Sequence, residues 1–254
     1  MSYQYLHLHV DDGVGYLTLD RPPLNVITIA MMREVQAALD ALAAAPALRA
    51  VVLRGAGRAF SAGVDVGEHL GETVGPMLTE FHAIFERLEA LAVPTVAVVH
   101  GVALGGGCEL VGFCDFALAA DTARLGFPEI TLGVFPPVAA AVLPLRLGTR
   151  ALLRLVLTGE VISAAEAQAL GLVSTVVPEA ELTAATEALL ERLRGLSAAA
   201  LHSARRALWA AEGGWRARLA RAEQIYREEL MATHDATEGL RAFLEKRAPE
   251  WQHA

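Results

Sequence analysis

Residues 101–110 read GVALGGGCEL. Three consecutive glycines and a glutamate follow the uncharged run Thr95–Val99, in the most apolar part of the chain. Glycine weakens a regular element, and a buried carboxylate is costly. A chain that carries both there needs the backbone itself at that point. A strand without a polar face is covered on both sides, and one that runs through glycines into a helix belongs to an α/β sheet. The helix N-terminus offers unpaired N–H groups and the positive end of the helix dipole. Such a turn suits a developing negative charge; its plainer reading is a close helix–strand crossing where only glycine fits. No Lys-Ser/Thr follows, so it is not a Walker A loop, and the Gly-x-Gly-x-x-Gly spacing of a dinucleotide site is absent.

The rest of the chain fits an α/β core with a helical C-terminal part. Leu6–Val10 and Val14–Leu19 flank Asp11-Asp12-Gly13 and predict a hairpin. Apolar spacing predicts helices over 29–45 (ending before Pro46), 77–91, 108–113 and 150–157, the last closed by Gly159. Ser163-Ala-Ala-Glu166 matches a capping box before a short helix closed by Gly171. Strands are predicted over 50–53, 95–99, 116–119 and 172–177, with helix nearly throughout from Glu181.

Size and charge narrow the function. The 254 residues are 54% hydrophobic and 20% charged, enough for a large core and against global disorder. The net charge is −8, and no basic run is longer than Arg205-Arg206, which argues against nucleic acid as a partner. Cys108 and Cys114 lie in apolar sequence and read as buried thiols in a reducing, cytoplasmic setting. MSYQYLHLHV has neither the basic nor the apolar segment of a secretory signal. The apolar stretch 93–108 is broken by Pro94, His100 and glycines, so it reads as core and not as a membrane span. The eight histidines, among them His7, His9, His69, His82 and His100, form no ligand-spaced cluster, and no metal is expected.

A second glycine turn, GRAFSAGVD (57–65), follows the strand at 50–53. Ser61 invites a nucleophile reading, but Ala59-Phe-Ser-Ala-Gly63 fails the Gly-x-Ser-x-Gly elbow at its first glycine. Glu109 falls in the first turn of the helix after the glycine triplet, among Cys108, Leu110, Val111 and Phe113. Glu129 follows Pro128 in GFPEITLG. Alone, each carboxylate has an ordinary structural reading. Together, two partly buried acids and two N–H-presenting turns can polarise a carbonyl and move protons beside it.

AFSAGVD, GVALGGGCEL, GFPEITLG, LTGEVISAAEAQALGLVSTVVP and EGLRAFLEKR together resemble the enoyl-CoA hydratase/isomerase (crotonase) superfamily over almost the whole chain. The resemblance implies a spiral of ββα units over 1–195 and a helical trimerisation region over 196–254. It implies an acyl-CoA thioester substrate, no cofactor beyond that coenzyme A, and a trimer or a hexamer made of two trimers. By position, the backbone N–H groups of Val64 and Gly106 would form an oxyanion hole, with Glu109 activating water and Glu129 delivering a proton. Having both acids favours a hydratase over an isomerase. Substrate contacts would come from Arg21 and Leu24 in the RPPLN turn, from Ala62, Gly63 and Asp65, and from Gly105, Pro136 and Pro137. Phe243 and Lys246 match positions that reach the coenzyme A of a neighbouring subunit.

Two stretches depart from the common pattern. RPPLNVIT is one residue shorter than RPKALNAL, and LGVFPPVAAAVLPLRL replaces LGTIPGAGGTQRL. Where the common pattern has a glycine N–H near the catalytic water, this chain has Pro137, which has none. The PPLNV turn and the FLEKRAPEW ending resemble the branch that hydrates cyclic dienoyl-CoA thioesters. That branch implies a wide pocket lined by Phe135, Val138 and residues of the 66–77 loop. An isomerase or lyase of the same superfamily is the alternative. A non-catalytic CoA-binding or RNA-binding subunit is the alternative of another class, opposed by the full set of site residues and the −8 charge.

Overall fold

The computed structural model describes residues 3–45 and 47–254, so the helix stop expected at Pro46 lies outside the described residues. Strands β1 (Leu6–Asp11) and β2 (Val14–Leu19) form the expected hairpin. Its two-residue loop, Asp12 and Gly13, takes φ of 42° and 74°. Both are left-handed, as the tight turn that matches strand twist requires.

The later strands are β3 (Ala50–Gly55), β4 (Thr95–Val99), β5 (Val102–Leu104), β6 (Phe116–Ala120), β7 (Arg124–Gly126), β8 (Val161–Ser163) and β9 (Thr175–Val177). Among the described residues they build two sheets, ordered β1-β2-β3-β4-β6-β9 and β5-β7-β8. From β2 to β9 the large sheet is parallel. Every residue of β4 is buried, as its lack of a polar face predicts. The chain leaves the large sheet at β4, crosses to the small one at β5, and then enters a helix. It repeats the first two steps at β6 and β7.

The helices before the C-terminal region are α1 (Ile29–Ala43), α2 (Val74–Ala90), α3 (Gly106–Phe113), α4 (Pro137–Val142), α5 (Pro144–Leu147), α6 (Thr149–Thr158), α7 (Ala164–Ala169) and α8 (Leu182–Arg194). Thr28 caps α1 by accepting from Met31 N–H. Helix α2 starts three residues earlier than the apolar spacing predicts, and α3 starts at Gly106 instead of Cys108, so two of the three glycines are helical. Ser163 caps α7 by accepting from Glu166 N–H, which is one half of the capping box. The Glu166 carboxylate goes instead to Arg154. The strand expected over 172–177 shortens to β9 because Leu172 N–H bonds back to Ala167 O and closes α7.

Helices α9 (Ala198–Glu212), α10 (Trp215–Gln224) and α11 (His234–Leu244) follow, with the π turn Ile225–Leu230 between the last two. Residues 245–254 are irregular, shorter of helix than expected, and are tied down by Gln252 and His253 N–H donating to Asp235. Arg205 pins α9 to the core. Its guanidinium meets the Asp115 carboxylate at 2.7 Å and the carbonyls of Leu88, Glu89 and Leu91 at the end of α2. No described helix is long and apolar enough to cross a membrane.

Candidate active site

Two turns meet beneath one cavity. The first leaves β3 and carries Ser61 to Asp65; the second leaves β5 and carries Gly105 and Gly106 into α3. Leu104 N–H donates to Ser61 O, and Ser61 N–H donates to Val102 O, so the turns are laced together. A Cβ placed on Gly106 would lie 2.8 Å from both Val64 Cγ2 and Phe81 Cζ. Only glycine fits between those side chains. Gly105 has φ +52°, and a Cβ there would lie 2.8 Å from Glu129 Oε1. The glycine triplet thus lets a carboxylate approach the backbone as well as forming a close crossing.

Ser61 is fully buried and structural. Its hydroxyl donates to Asn25 O at 2.7 Å and accepts from Gly63 N–H at 3.1 Å. Asn25 holds the RPPLN turn against the same segment, its Nδ2 donating to Ala59 O at 2.8 Å. The N–H groups of Gly63, Asp65 and Gly105 are taken by Ser61 Oγ, Ile27 O and Gly126 O. Those of Val64 and Gly106 have no backbone partner among the described residues. They are the two donors in these turns that remain for a ligand.

The cavity, about 320 Å³, is largely apolar. Glu109 and Glu129 both line it. Glu109 is 3% exposed, and its Oε1 accepts from Ala139 N–H at 2.8 Å. That donor sits in the first turn of α4 behind Pro136 and Pro137; the Val138 N–H of the same turn is turned toward the carboxylate. Burial pushes the Glu109 carboxyl up to about 7, and the two N–H groups restrain the rise. Glu129 is the second residue of the 3₁₀ turn Pro128–Leu132, and its Oε2 is buried with no partner among the described residues. Burial first, and the neighbouring Glu109 charge second, raise Glu129 well above the carboxylate range. Glu109 is better stabilised as an anion than Glu129. The pair can therefore hold one proton between pH values where ordinary carboxylates hold none.

Two larger clefts, about 650 and 630 Å³, flank Trp209. Their acids are neutralised by arginine: Asp115 by Arg205, Glu89 by Arg216 and Glu212 by Arg146. Among the described residues no cation pairs with Glu109 or Glu129, which makes their cavity the candidate reactive site.

Of the residues singled out in the sequence, Ala62, Gly63, Val64, Gly105, Gly106, Glu109, Glu129, Pro136, Pro137 and Phe243 line this cavity. Arg21, Leu24, Asp65 and Lys246 do not. Leu24 O accepts from Ala62 N–H, Arg21 donates to Val26 O, and Asp65 caps the turn Val66–His69. In this chain these three brace the site's backbone. Lys246 is exposed just past the end of α11. Phe243 lines the cavity of its own chain, because α11 folds back onto the turn that carries Glu129. Phe135, Val66 and Met77 line the pocket as expected; Val138 does not, being packed inside as α4 turns its side chain to the core.

A family model described as enoyl-CoA hydratase/isomerase matches residues 9–254. The chain belongs to the enoyl-CoA hydratase/isomerase family. It is 38% identical over 257 residues to a probable enoyl-CoA hydratase of Mycobacterium bovis, covering 100% of both chains. It is 38% identical to the cyclohexa-1,5-dienecarbonyl-CoA hydratase of Thauera aromatica, covering 97% of this chain and 95% of the other. The crystal structure of an enoyl-CoA hydratase from Mycobacterium avium subsp. paratuberculosis superposes with a TM-score of 0.89 at 29% identity, over 99% of this chain and 100% of that one. The crotonase-type α/β fold with a helical C-terminal region is therefore the fold of this chain.

This family member also carries site residues that sequence reasoning missed. Phe81, Tyr226 and Leu240 line the cavity, and so does His69, which belongs to the 66–77 loop already expected there. His69 Nδ1 lies 2.9 Å from Asp65 O; a carbonyl only accepts, so that nitrogen carries the proton. Burial holds its pKa below the ordinary histidine value. Helical spacing identifies Phe81 and Leu240 as apolar positions but cannot tell a cavity wall from core.

Proposed function

We propose that this chain is an enoyl-CoA hydratase, adding water reversibly across the C2=C3 bond of an enoyl-CoA thioester. The observation that carries the reading is the pair of buried acids with unequal proton affinity, facing one cavity with two free backbone N–H groups. In the proposed reaction the Val64 and Gly106 N–H groups hold the thioester oxygen. Negative charge grows there as water adds to C3, and one such donor typically contributes about 3 to 4 kcal/mol to the transition state. Glu109, the better stabilised anion, takes the proton of the attacking water. Glu129, which holds its proton more tightly, gives it to C2. The protons then balance: one is gained from water, one is delivered to carbon, and the pair is reset by transfer between its members or with solvent. No cofactor beyond the coenzyme A of the substrate is needed for these steps.

A second reading concerns the acyl group. The Thauera relative and the Phe81, Phe135 and Met77 walls support a cyclic dienoyl thioester as substrate. Crotonyl-CoA and cyclohexa-1,5-diene-1-carbonyl-CoA, given separately to the purified protein with products weighed by mass spectrometry, test both readings. A gain of one water on either supports the hydratase; faster gain on the diene supports the cyclic substrate. No gain on either removes both.

The division at 195/196, with a C-terminal trimerisation region and a trimer or a pair of trimers, belongs to the same proposal. Leu153 and Leu157 on α6, and Leu208 on α9, stand 51%, 63% and 69% exposed, apolar side chains that contact with a second copy of the chain would cover.

A further inference from the structure

Tyr226 is 1% exposed, and its hydroxyl has no partner among the described residues. A phenylalanine would fill the same space without a stranded donor, so the hydroxyl needs a partner that arrives with the reactants. It lines the cavity that holds Glu109, Glu129 and Pro137. Its ring is set edge-on against Phe135, with centroids 5.3 Å apart and planes at 66°. Phe135 is two residues before Pro137. Tyr226 also sits in the π turn Ile225–Leu230, a widened helical turn of the sort found at functional sites.

The first turn of α4 offers a water molecule little. Pro137 has no N–H, the Ala139 N–H is bonded to Glu109 at 2.8 Å, and the Val138 N–H is turned toward the same carboxylate, whose proton affinity it lowers. We infer that the Tyr226 hydroxyl holds the attacking water, donating to its oxygen in place of the backbone donor that Pro137 lacks. The water's hydrogens then face the Glu109 carboxylate, and one oxygen lone pair is left for C3. Burial, and the charges of Glu129 and Glu109, push the phenol's ionisation up, so it remains a donor wherever the acid pair works. The inference rests on the hydratase reading and adds a third group to it.

Tyr226→Phe keeps the ring, its volume and its contact with Phe135, so the fold is retained. Wild type and Y226F are compared on crotonyl-CoA or the cyclic diene, whichever the wild type hydrates faster. The second readout is hydrogen–deuterium exchange at C2 of the matching saturated thioester, butyryl-CoA or cyclohexanecarbonyl-CoA. Exchange needs the thioester-oxygen donors and Glu129 in its ionised form, which takes the C2 proton, exchanges it with solvent and returns deuterium, but no attacking water. The expected result is a kcat for hydration reduced about ten- to a hundredfold, with KM and the exchange rate within about twofold of wild type. An unchanged kcat overturns the inference. So does a raised KM at unchanged kcat, which would make Tyr226 a contact of the acyl group. A parallel fall of hydration and exchange also overturns it, since that marks a structural role. If the wild type hydrates neither thioester, the hydratase reading fails and this inference falls with it.

Discussion

The Ala139 N–H donates to Glu109 Oε1 at 2.8 Å, across thirty residues of chain. Glu129 has no equivalent donor for its Oε2. This difference separates two carboxyls that share one apolar cavity, and it supports the proposed roles of Glu109 as base and Glu129 as acid.

The pH dependence of turnover follows from that separation. Glu109 must be ionised to accept a proton, and its carboxyl is raised to about 7. Glu129 must be protonated to donate one, and it is raised further by burial and by Glu109. The kcat profile should be bell-shaped, falling below about pH 7 as Glu109 protonates and falling again at higher pH as Glu129 ionises. Both limbs belong to the coupled pair. Steady-state kinetics across the pH range checks this. A rate that is flat down to the ordinary carboxylate range would contradict it.

Stability should move in the opposite sense. Both carboxyls bind protons more tightly folded than unfolded. As pH rises through the unfolded value near 4.5 toward the folded value near 7, the native state loses stability, and the loss is complete for Glu109 above that. Removing the less satisfied charge relieves it. Glu129→Gln should raise the melting temperature at pH 8 by at least about 3 °C, and should leave it nearly unchanged near pH 3, where wild-type Glu129 is essentially neutral both folded and unfolded. Melting curves at the two pH values decide the matter.

Gly105→Ala tests the geometry of the glycine triplet. At φ +52° a side chain is strained, and the new Cβ would meet Glu129 Oε1 at 2.8 Å. The carboxyl must shift, and a shift of about 1 Å at a reacting group lowers turnover about a hundredfold. The expected signature is a lower kcat with thioester binding little changed.

Much of this site is written in short-range chemistry. Gly105, Gly106 and Glu109 lie within five residues, so apolar context and glycine spacing bring them forward together. Glu129 is legible only as half of a pair, since Pro-Glu by itself is a turn. Strands β5, β7 and β8 escape because three residues are too few to show a period of two. Tyr226 escapes for a different reason: the π turn at Ile225–Leu230 breaks the helical register, so spacing alone misassigns the face it occupies. Pro137 is visible as a missing donor, but what its neighbours Val138 and Ala139 do with their N–H groups is a matter of how α4 docks on Glu109. That Phe243 also lines its own chain's cavity is not legible, since the packing of α11 on the 128–132 turn is a long-range contact.

The most direct test of the acid pair is the double variant Glu109→Gln/Glu129→Gln. Hydration is followed by loss of the enoyl-thioester ultraviolet absorbance, and binding of the same thioester by calorimetry. The account predicts a wild type that hydrates, and a double variant that binds with similar affinity but loses at least about 10⁴-fold in turnover. A double variant that binds and still hydrates within about tenfold of wild type would contradict the assignment of the two glutamates as base and acid.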